Sequence, residues 1–264
     1  MFTIKDLVQP DTMDAAYRLL VDGPNNTVLG GCAFLRIGSK QIDTAIDLSK
    51  LNLDTIREQA DYIEVGAMAT FRMVETHPGL RQNFNGLLPK AVGNIIGVQF
   101  RNVVTVGASV YAKYGFSDLI TALLALDTDV ELYKAGRMPL AEFLDRPYSK
   151  DILVRIFIKK DGRRASYQHL RNSASDYPIL NVAVAHGNGR WTVVAGARPL
   201  RAKIAGQASE QLSASAGAGS PDIDGIAATA AAELDFGSNL RGTGEYRRAM
   251  CQVLVKRAIE EVIA

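Results

Sequence analysis

Metal-binding side chains are scarce in this chain. Its 264 residues include two cysteines, Cys32 and Cys251, far apart, and three histidines, His77, His169 and His186, without metal-ligand spacing. Iron–sulfur clusters and structural zinc sites need several such ligands close together, so neither can be built from this chain alone. The same scarcity leaves no support for Ser-His-Asp chemistry or zinc hydrolysis. The cysteines are expected as buried free thiols, not as a disulfide. An excess of one charge is also missing: 30 Lys and Arg against 28 Asp and Glu give a formal charge of +2. The charges are interspersed, with no basic block for nucleic acid and no polybasic strip for a membrane surface. No apolar run approaches the roughly 18 residues of a membrane span. "MFTIKDLVQPD" lacks the cationic start and apolar run of a secretory signal. These absences lead to the expectation of a soluble cytoplasmic protein.

What is present is a globular mixture of helices and strands, 47% apolar. Thr12 caps a first helix carried by Met13, Ala16, Tyr17 and Leu20, with Gly23 as its stop. "NTVL", "QIDTAIDLS" and "DYIEVGAM" read as strands, and "ATFRMVETHP" as a short helix capped by Thr70. "GLLPKAVGNIIG" reads as an apolar helix, and "RNVVTVGAS" as a strand dying in a glycine. "SDLITALLALDTDVELY" predicts a helix and then a strand, and "ILVRIFI" a strand. Two alternating runs within 179–197 meet at Gly187-Asn188-Gly189, a hairpin. Two small-residue helices, "ASEQLSAS" and "DIDGIAATAAAEL", are expected on either side of a break at Gly217–Pro221. The chain ends in an amphipathic helix whose faces are marked by Tyr246, Met250, Val253, Leu254, Arg257 and Ile259. Helices late and a hairpin in the middle indicate an α+β fold, not regular alternation.

Two of these apolar stretches run into glycine, at Gly30-Gly31 and at Gly107-Ala108. A turn without β-carbons lets main-chain N–H groups converge on an anion, or lets a ligand approach the backbone closely. Neither stretch has the spacing of a dinucleotide-binding or phosphate-loop motif, and glycines at strand ends are also ordinary turns.

The ordered segments "VLGG", "AVGNIIGVQFRNVVTVGAS", "SDLITALLALDTDVEL", "SASDYPILNVAVA" and "LRGTGEYRRAMCQVLVKRA" resemble the FAD-binding medium subunit of molybdenum hydroxylases. That is the xanthine dehydrogenase and carbon monoxide dehydrogenase flavoprotein family, and the resemblance runs from Pro10 to about Ala258. It implies a vanillyl-alcohol-oxidase-type α+β fold. The implied units are an N-terminal FAD-binding lobe at 1–54, a second at 55–162, and a C-terminal lobe of small antiparallel sheet and helices at 163–264.

By the same resemblance, two stretches of main chain would cradle the FAD pyrophosphate. One is Leu29, Gly30, Gly31, Cys32, Ala33, Phe34 and Leu35; the other is Thr105, Val106, Gly107, Ala108 and Ser109. Ile95 and Leu153 would pack on the cofactor, and Asp118 would be among its contacts. Gln168 stands where relatives often have a lysine near the flavin, and Asp176 lies in a loop bordering the ring. Arg101 and Asn102 are candidates to brace the second stretch, and Tyr111 and Tyr114 to stack on a ring. No side chain is assigned a catalytic role and none a metal.

The implied function is electron transfer within a heteromeric complex. A molybdenum cofactor-binding large subunit hydroxylates substrate, a [2Fe–2S] iron–sulfur subunit relays electrons, and FAD on this chain passes them to NAD or another acceptor. The sequence departs from the family in three places. It reads Gly107-Ala108 for a usual glycine pair, Cys32 for a small polar residue, and "VYAKYGF" for an Asn/Ala/Ser/Pro run. Two alternatives stay open: a free-standing flavin oxidoreductase, and a scaffold subunit that has lost its cofactor.

Overall fold

A computed structural model describes residues 1–215 and 221–264. Three sheets organise the chain. In the first, β1 (Thr3–Val8), β3 (Gln41–Asp47) and β2 (Thr27–Leu29) lie parallel in that order. Parallel neighbours require a crossover, and the helix Met13–Asp22 supplies one between β1 and β2. Thr12 Oγ1 accepts from the Ala15 N–H at 3.2 Å, and Ala16 and Leu20 bury against Ile46 and Leu48. β1 was not anticipated, because nearly all of it is exposed and it carries no apolar face to read.

The second sheet is antiparallel, in the order β4 (Ile56–Glu58), β5 (Tyr62–Gly66), β8 (Leu153–Lys159), β6 (Thr128–Leu132), β7 (Gly136–Pro139). Helices Phe71–Thr76, Leu87–Gly93 and Asp118–Ala125 contribute to its core. Every residue of Asp118–Ala125 is buried, so this helix lies inside the molecule and has no solvent face.

The third sheet is β9 (Arg164–Leu170), β10 (Leu180–Gly187), β11 (Arg190–Gly196) and β12 (Lys203–Ile204), antiparallel throughout. The predicted hairpin forms: Asn188 and Gly189 both take positive φ, 52° and 72°, the pair of left-handed residues a two-residue hairpin turn requires. Helices Gly206–Ser215, Ile223–Glu233 and Gly244–Ile263 share a core with this sheet. The break expected at Gly217–Pro221 falls on residues outside the described ones, save Pro221 itself.

Two expectations are corrected. "RNVVTVGAS" is not a strand: a helical turn ends at Arg101, Thr105 makes one bridge to Thr70, and a helix runs Val106–Tyr111. Thr105 Oγ1 accepts from the Ala108 N–H at 3.3 Å, which is the N-cap of that helix. A short apolar run bounded by glycine reads alike for a buried strand and a buried helix. The buried stripe of the final helix includes Leu254 and Ile259 of the residues expected to mark its faces and differs in the rest. Arg247, Cys251, Leu254, Val255, Ala258, Ile259 and Val262 face inward, while Tyr246 is exposed. An arginine on the buried face hides the period from any reading that scores charge as solvent-seeking.

Candidate functional site

β2 ends at Leu29, and the chain then turns through Gly31 (φ 74°) and Cys32 (φ 56°), both left-handed. Cys32 holds a conformation that side chains seldom take. A β-carbon on Gly31 would overlap the Val103 carbonyl oxygen. One on Gly30 would stand 2.6 Å from the Ala108 β-carbon and 2.9 Å from Thr105 Oγ1. The two glycine-bearing stretches therefore touch. Their bare backbone lets chain pack against chain here.

An accounting of N–H groups separates the stretches further. Among the described residues, the N–H groups of Gly31, Cys32, Ala33 and Phe34 donate to no protein acceptor. In the second stretch four of the five N–H groups are taken, and only that of Thr105 has no protein acceptor among the described residues. Val106 donates to Ala69 O at 2.9 Å, Gly107 to Ala67 O at 2.7 Å, and Ser109 to Thr105 O at 3.2 Å. Ala108 is held by its cap. So the first stretch offers a run of free donors and the second a single one, at Thr105.

Both stretches line a cavity of about 470 Å³. Of the sequence-derived residues, Leu29, Gly30, Cys32, Ala33, Phe34, Leu35, Ile95, Thr105, Gly107, Ala108, Ser109, Asp118 and Leu153 reach its wall. Gly31 and Val106 sit behind that wall, and Gln168 lies away from it. Strand alternation explains Gln168: its Nε2 donates to Glu261 Oε2 on the last helix at 2.7 Å. Tyr167, on the opposite face of β9, turns instead to Asp118. Arg101 does not touch the second stretch: it pairs with Glu75 at 2.8 Å and donates to Ile95 O at 3.1 Å, fixing the segment before it.

Sequence reasoning missed much of the cavity's aromatic wall. Phe34, Tyr114, Phe116 and Tyr177 form one cluster, with Phe34–Tyr114 centroids at 4.6 Å, Tyr114–Phe116 stacked at 5.1 Å and Phe116–Tyr177 edge-on at 4.8 Å. The run "YGF" signalled part of it; nothing local could place Tyr177 beside it. Tyr111 is absent from this cluster, since its hydroxyl donates to Ser149 O at 2.5 Å and accepts from the Asp151 N–H. Lys150 also borders the cavity, but its ammonium is tied to Leu20 O and Gly23 O at the end of the first helix.

Asp118 is 4% exposed and does not cap its helix; Ser117 Oγ does, accepting from the Ile120 N–H at 3.2 Å. Oδ1 of Asp118 accepts from Arg171 Nη2 at 2.6 Å, from Asn181 Nδ2 at 3.2 Å and from the Tyr167 hydroxyl. Oδ2 accepts from nothing among the described residues and retains accessible surface at the cavity wall. Burial pushes the Asp118 carboxyl up, against the pull of Arg171. Burial likewise raises the Cys32 thiol, so this group stays protonated at neutral pH. No helix among the described residues is long and apolar enough to cross a membrane.

Comparison with known proteins matches both parts of the chain. Residues 2–160 match the family model described as "FAD binding domain in molybdopterin dehydrogenase", and residues 165–262 the one described as "CO dehydrogenase flavoprotein C-terminal domain". The nicotinate dehydrogenase FAD-subunit of Eubacterium barkeri is 31% identical over 146 residues, covering 52% of this chain and 49% of that one. The 6-hydroxypseudooxynicotine dehydrogenase complex subunit alpha of Paenarthrobacter nicotinovorans is 25% identical over 98% of this chain and 94% of its own. A chain of carbon monoxide dehydrogenase from Hydrogenophaga pseudoflava superposes with a TM-score of 0.86 at 22% identity, over 99% of this chain and 98% of that one. That last likeness speaks for the fold. This chain belongs to the FAD-binding flavoprotein (medium) subunit family of the molybdenum hydroxylases.

Proposed function

We propose that this chain holds FAD in the cavity between its first and second sheets and serves as the electron-transfer subunit of a molybdenum hydroxylase complex. In this reading a [2Fe–2S] subunit delivers electrons that a molybdenum cofactor-binding large subunit has taken from substrate. NAD or another acceptor then receives them from this chain. What carries the reading is the run of four unclaimed N–H groups from Gly31 to Phe34, of which Cys32, Ala33 and Phe34 stand on the wall of a largely apolar cavity and Gly31 just behind it. Unpaired main-chain donors are costly unless a ligand or solvent completes them, and a diphosphate is the anion they suit.

The residues present fit a flavin dinucleotide. Gly31–Phe34 would donate to its phosphates, and Asp118 Oδ2 would accept from a hydroxyl. Ile95 and Leu153 would supply apolar walls, and Phe34, Tyr114, Phe116 and Tyr177 flat surface against a ring. Bound there, FAD supplies a centre that takes and releases electrons singly or in pairs. The protein's own work is to bind, orient and exclude water, which is consistent with a cavity where the thiol and tyrosines hold their protons. The segments 1–54, 55–162 and 163–264 are the units we propose for this work.

One observation favours the scaffold alternative: the N–H groups from Val106 to Ser109 are all taken by protein acceptors, with a methyl at Ala108. Titrating FAD into the purified chain separates the two. Quenching of flavin fluorescence with one site per chain is the expected result; no binding at saturating FAD overturns the carrier reading. Recovery of iron–sulfur and molybdenum chains with the tagged protein from its host tests the partners.

A further inference from the structure

The geometry points to Arg171 as a positioning residue that keeps Asp118 charged and turned so that one carboxylate oxygen faces the cavity. The inference rests on the FAD reading above and deepens it. Asp118 and Arg171 form an ion pair at 2.6 Å whose side chains are 5% and 3% exposed. A buried carboxylate of this kind persists only with a charged partner and further donors. Here all three donors, Arg171, Tyr167 and Asn181, converge on Oδ1, and Thr121 holds Asn181 in turn at 2.9 Å. With Oδ1 saturated, Oδ2 is the acceptor left for a hydroxyl of the bound dinucleotide.

Arg171 is itself held from two sides. Nη1 donates to Asp176 O at 2.5 Å, and Nε donates to His169 Nδ1 at 3.2 Å. The ring of His169 is neutral in that arrangement, and burial lowers its affinity for a proton. The titratable and charged groups in contact with Asp118 are therefore few. Arg171 and Tyr167 touch it, and His169 and the Asp176–Arg241 pair stand one contact behind; Cys32, Lys40, Tyr111, Tyr114, Tyr148, Lys150, Asp151 and Tyr177 share the cavity wall without contacting it. Arg171 is the one cation among them in contact with the carboxylate.

Removing its charge strands a buried carboxylate, which then takes up a proton near neutral pH. The experiment is FAD affinity of the full chain, by flavin fluorescence at pH 6 and pH 8, for wild type, Arg171→Gln, Arg171→Lys and Asp118→Asn. Wild type and Arg171→Lys are expected to differ less than about two-fold between the two pH values. Arg171→Gln is expected to bind roughly ten-fold more weakly at pH 6 than at pH 8. Asp118→Asn is expected to bind more weakly at both, with no pH dependence. A flat profile for Arg171→Gln, or the same slope in Arg171→Lys, overturns the proposal.

A readout without ligand distinguishes its failure from failure of the FAD reading. Infrared spectra of Arg171→Gln at pH 6 should contain a protonated-carboxyl band that wild type and the Arg171→Gln/Asp118→Asn double variant lack. Absence of that band overturns the proposal whether or not FAD binds. Should Arg171→Gln fail to fold, Tyr167→Phe keeps the ring and removes one donor. It should move the same pH ratio by about three-fold in the same direction, and no movement overturns the proposal.

Discussion

Leu29–Leu35 and Thr105–Ser109 lie against each other at one cavity wall, and each was reached from an apolar stretch ending in glycine. The first leaves strand β2 and enters a left-handed turn at Gly31 and Cys32, with four N–H groups unclaimed. The second starts a helix, and the carbonyls of Ala67 and Ala69, with both oxygens of Thr105, consume the N–H groups from Val106 to Ser109. The segment just before it is held by the Glu75–Arg101 pair. The same composition thus makes a ligand-facing loop in one place and a packing surface in the other. The deciding factor is whether other backbone arrives to accept the hydrogen bonds.

The strongest test of this contrast is Gly31→Val. A β-branched side chain cannot take φ of 74° without strain, and it would overlap the Val103 carbonyl. The expected loss is about 3 kcal/mol or more of stability together with flavin binding, read by thermal unfolding and FAD titration. Stability within about 1 kcal/mol of wild type would mean that the stretches do not pack as described. Gly30→Val comes next. It presses on Thr105 Oγ1, which can rotate, and on the Ala108 β-carbon, which moves only with its helix, so about 1–3 kcal/mol is expected by overpacking, with flavin retention abolished. Unchanged flavin occupancy would remove the first stretch from the site.

Ala108→Gly sharpens the comparison. If the second stretch only packs, restoring the family's glycine leaves FAD affinity within about two-fold, while helix stability drops by roughly 0.5–1 kcal/mol. A large gain in affinity would make the second stretch a donor after all. The smallest effect concerns the Glu75–Arg101 pair. Burial alone would raise the Glu75 carboxyl, but hydrogen bonds from Arg101 and Arg72 outweigh it and hold the group below its ordinary value of 4.5. A carboxyl depressed in the folded state stabilises above the unfolded value and loses that contribution as pH falls through the folded one. The stability difference between wild type and Glu75→Gln should therefore be constant above about pH 5 and shrink in more acid solution. A difference that grows in acid would refute the pair.

Much of the fold was readable because its signals are local. Thr12, Thr70 and the turn at Asn188-Gly189 act through their own neighbours in sequence, and the structure uses each as expected. Reading failed where the partner is distant. β1 pairs through its backbone and shows no apolar face. Thr105 turns a stretch resembling a strand into a helix by capping Ala108. Gln168 and Tyr167 are adjacent, and which of them meets Asp118 depends on how β9 sits against the last helix.

By itself the sequence determined where the chain must turn, which segments are apolar enough to be buried, and how sparse the metal-binding groups are. These depend on each residue's own dihedral preferences, solvation and chemistry. Only the tertiary structure decided that Gly31–Phe34 keep free donors while Val106–Ser109 do not, and that Arg171 meets Asp118 inside the molecule. Hydrogen bonds and buried charges are completed by groups far away in the chain, and competition for those partners is settled only when the lobes have packed.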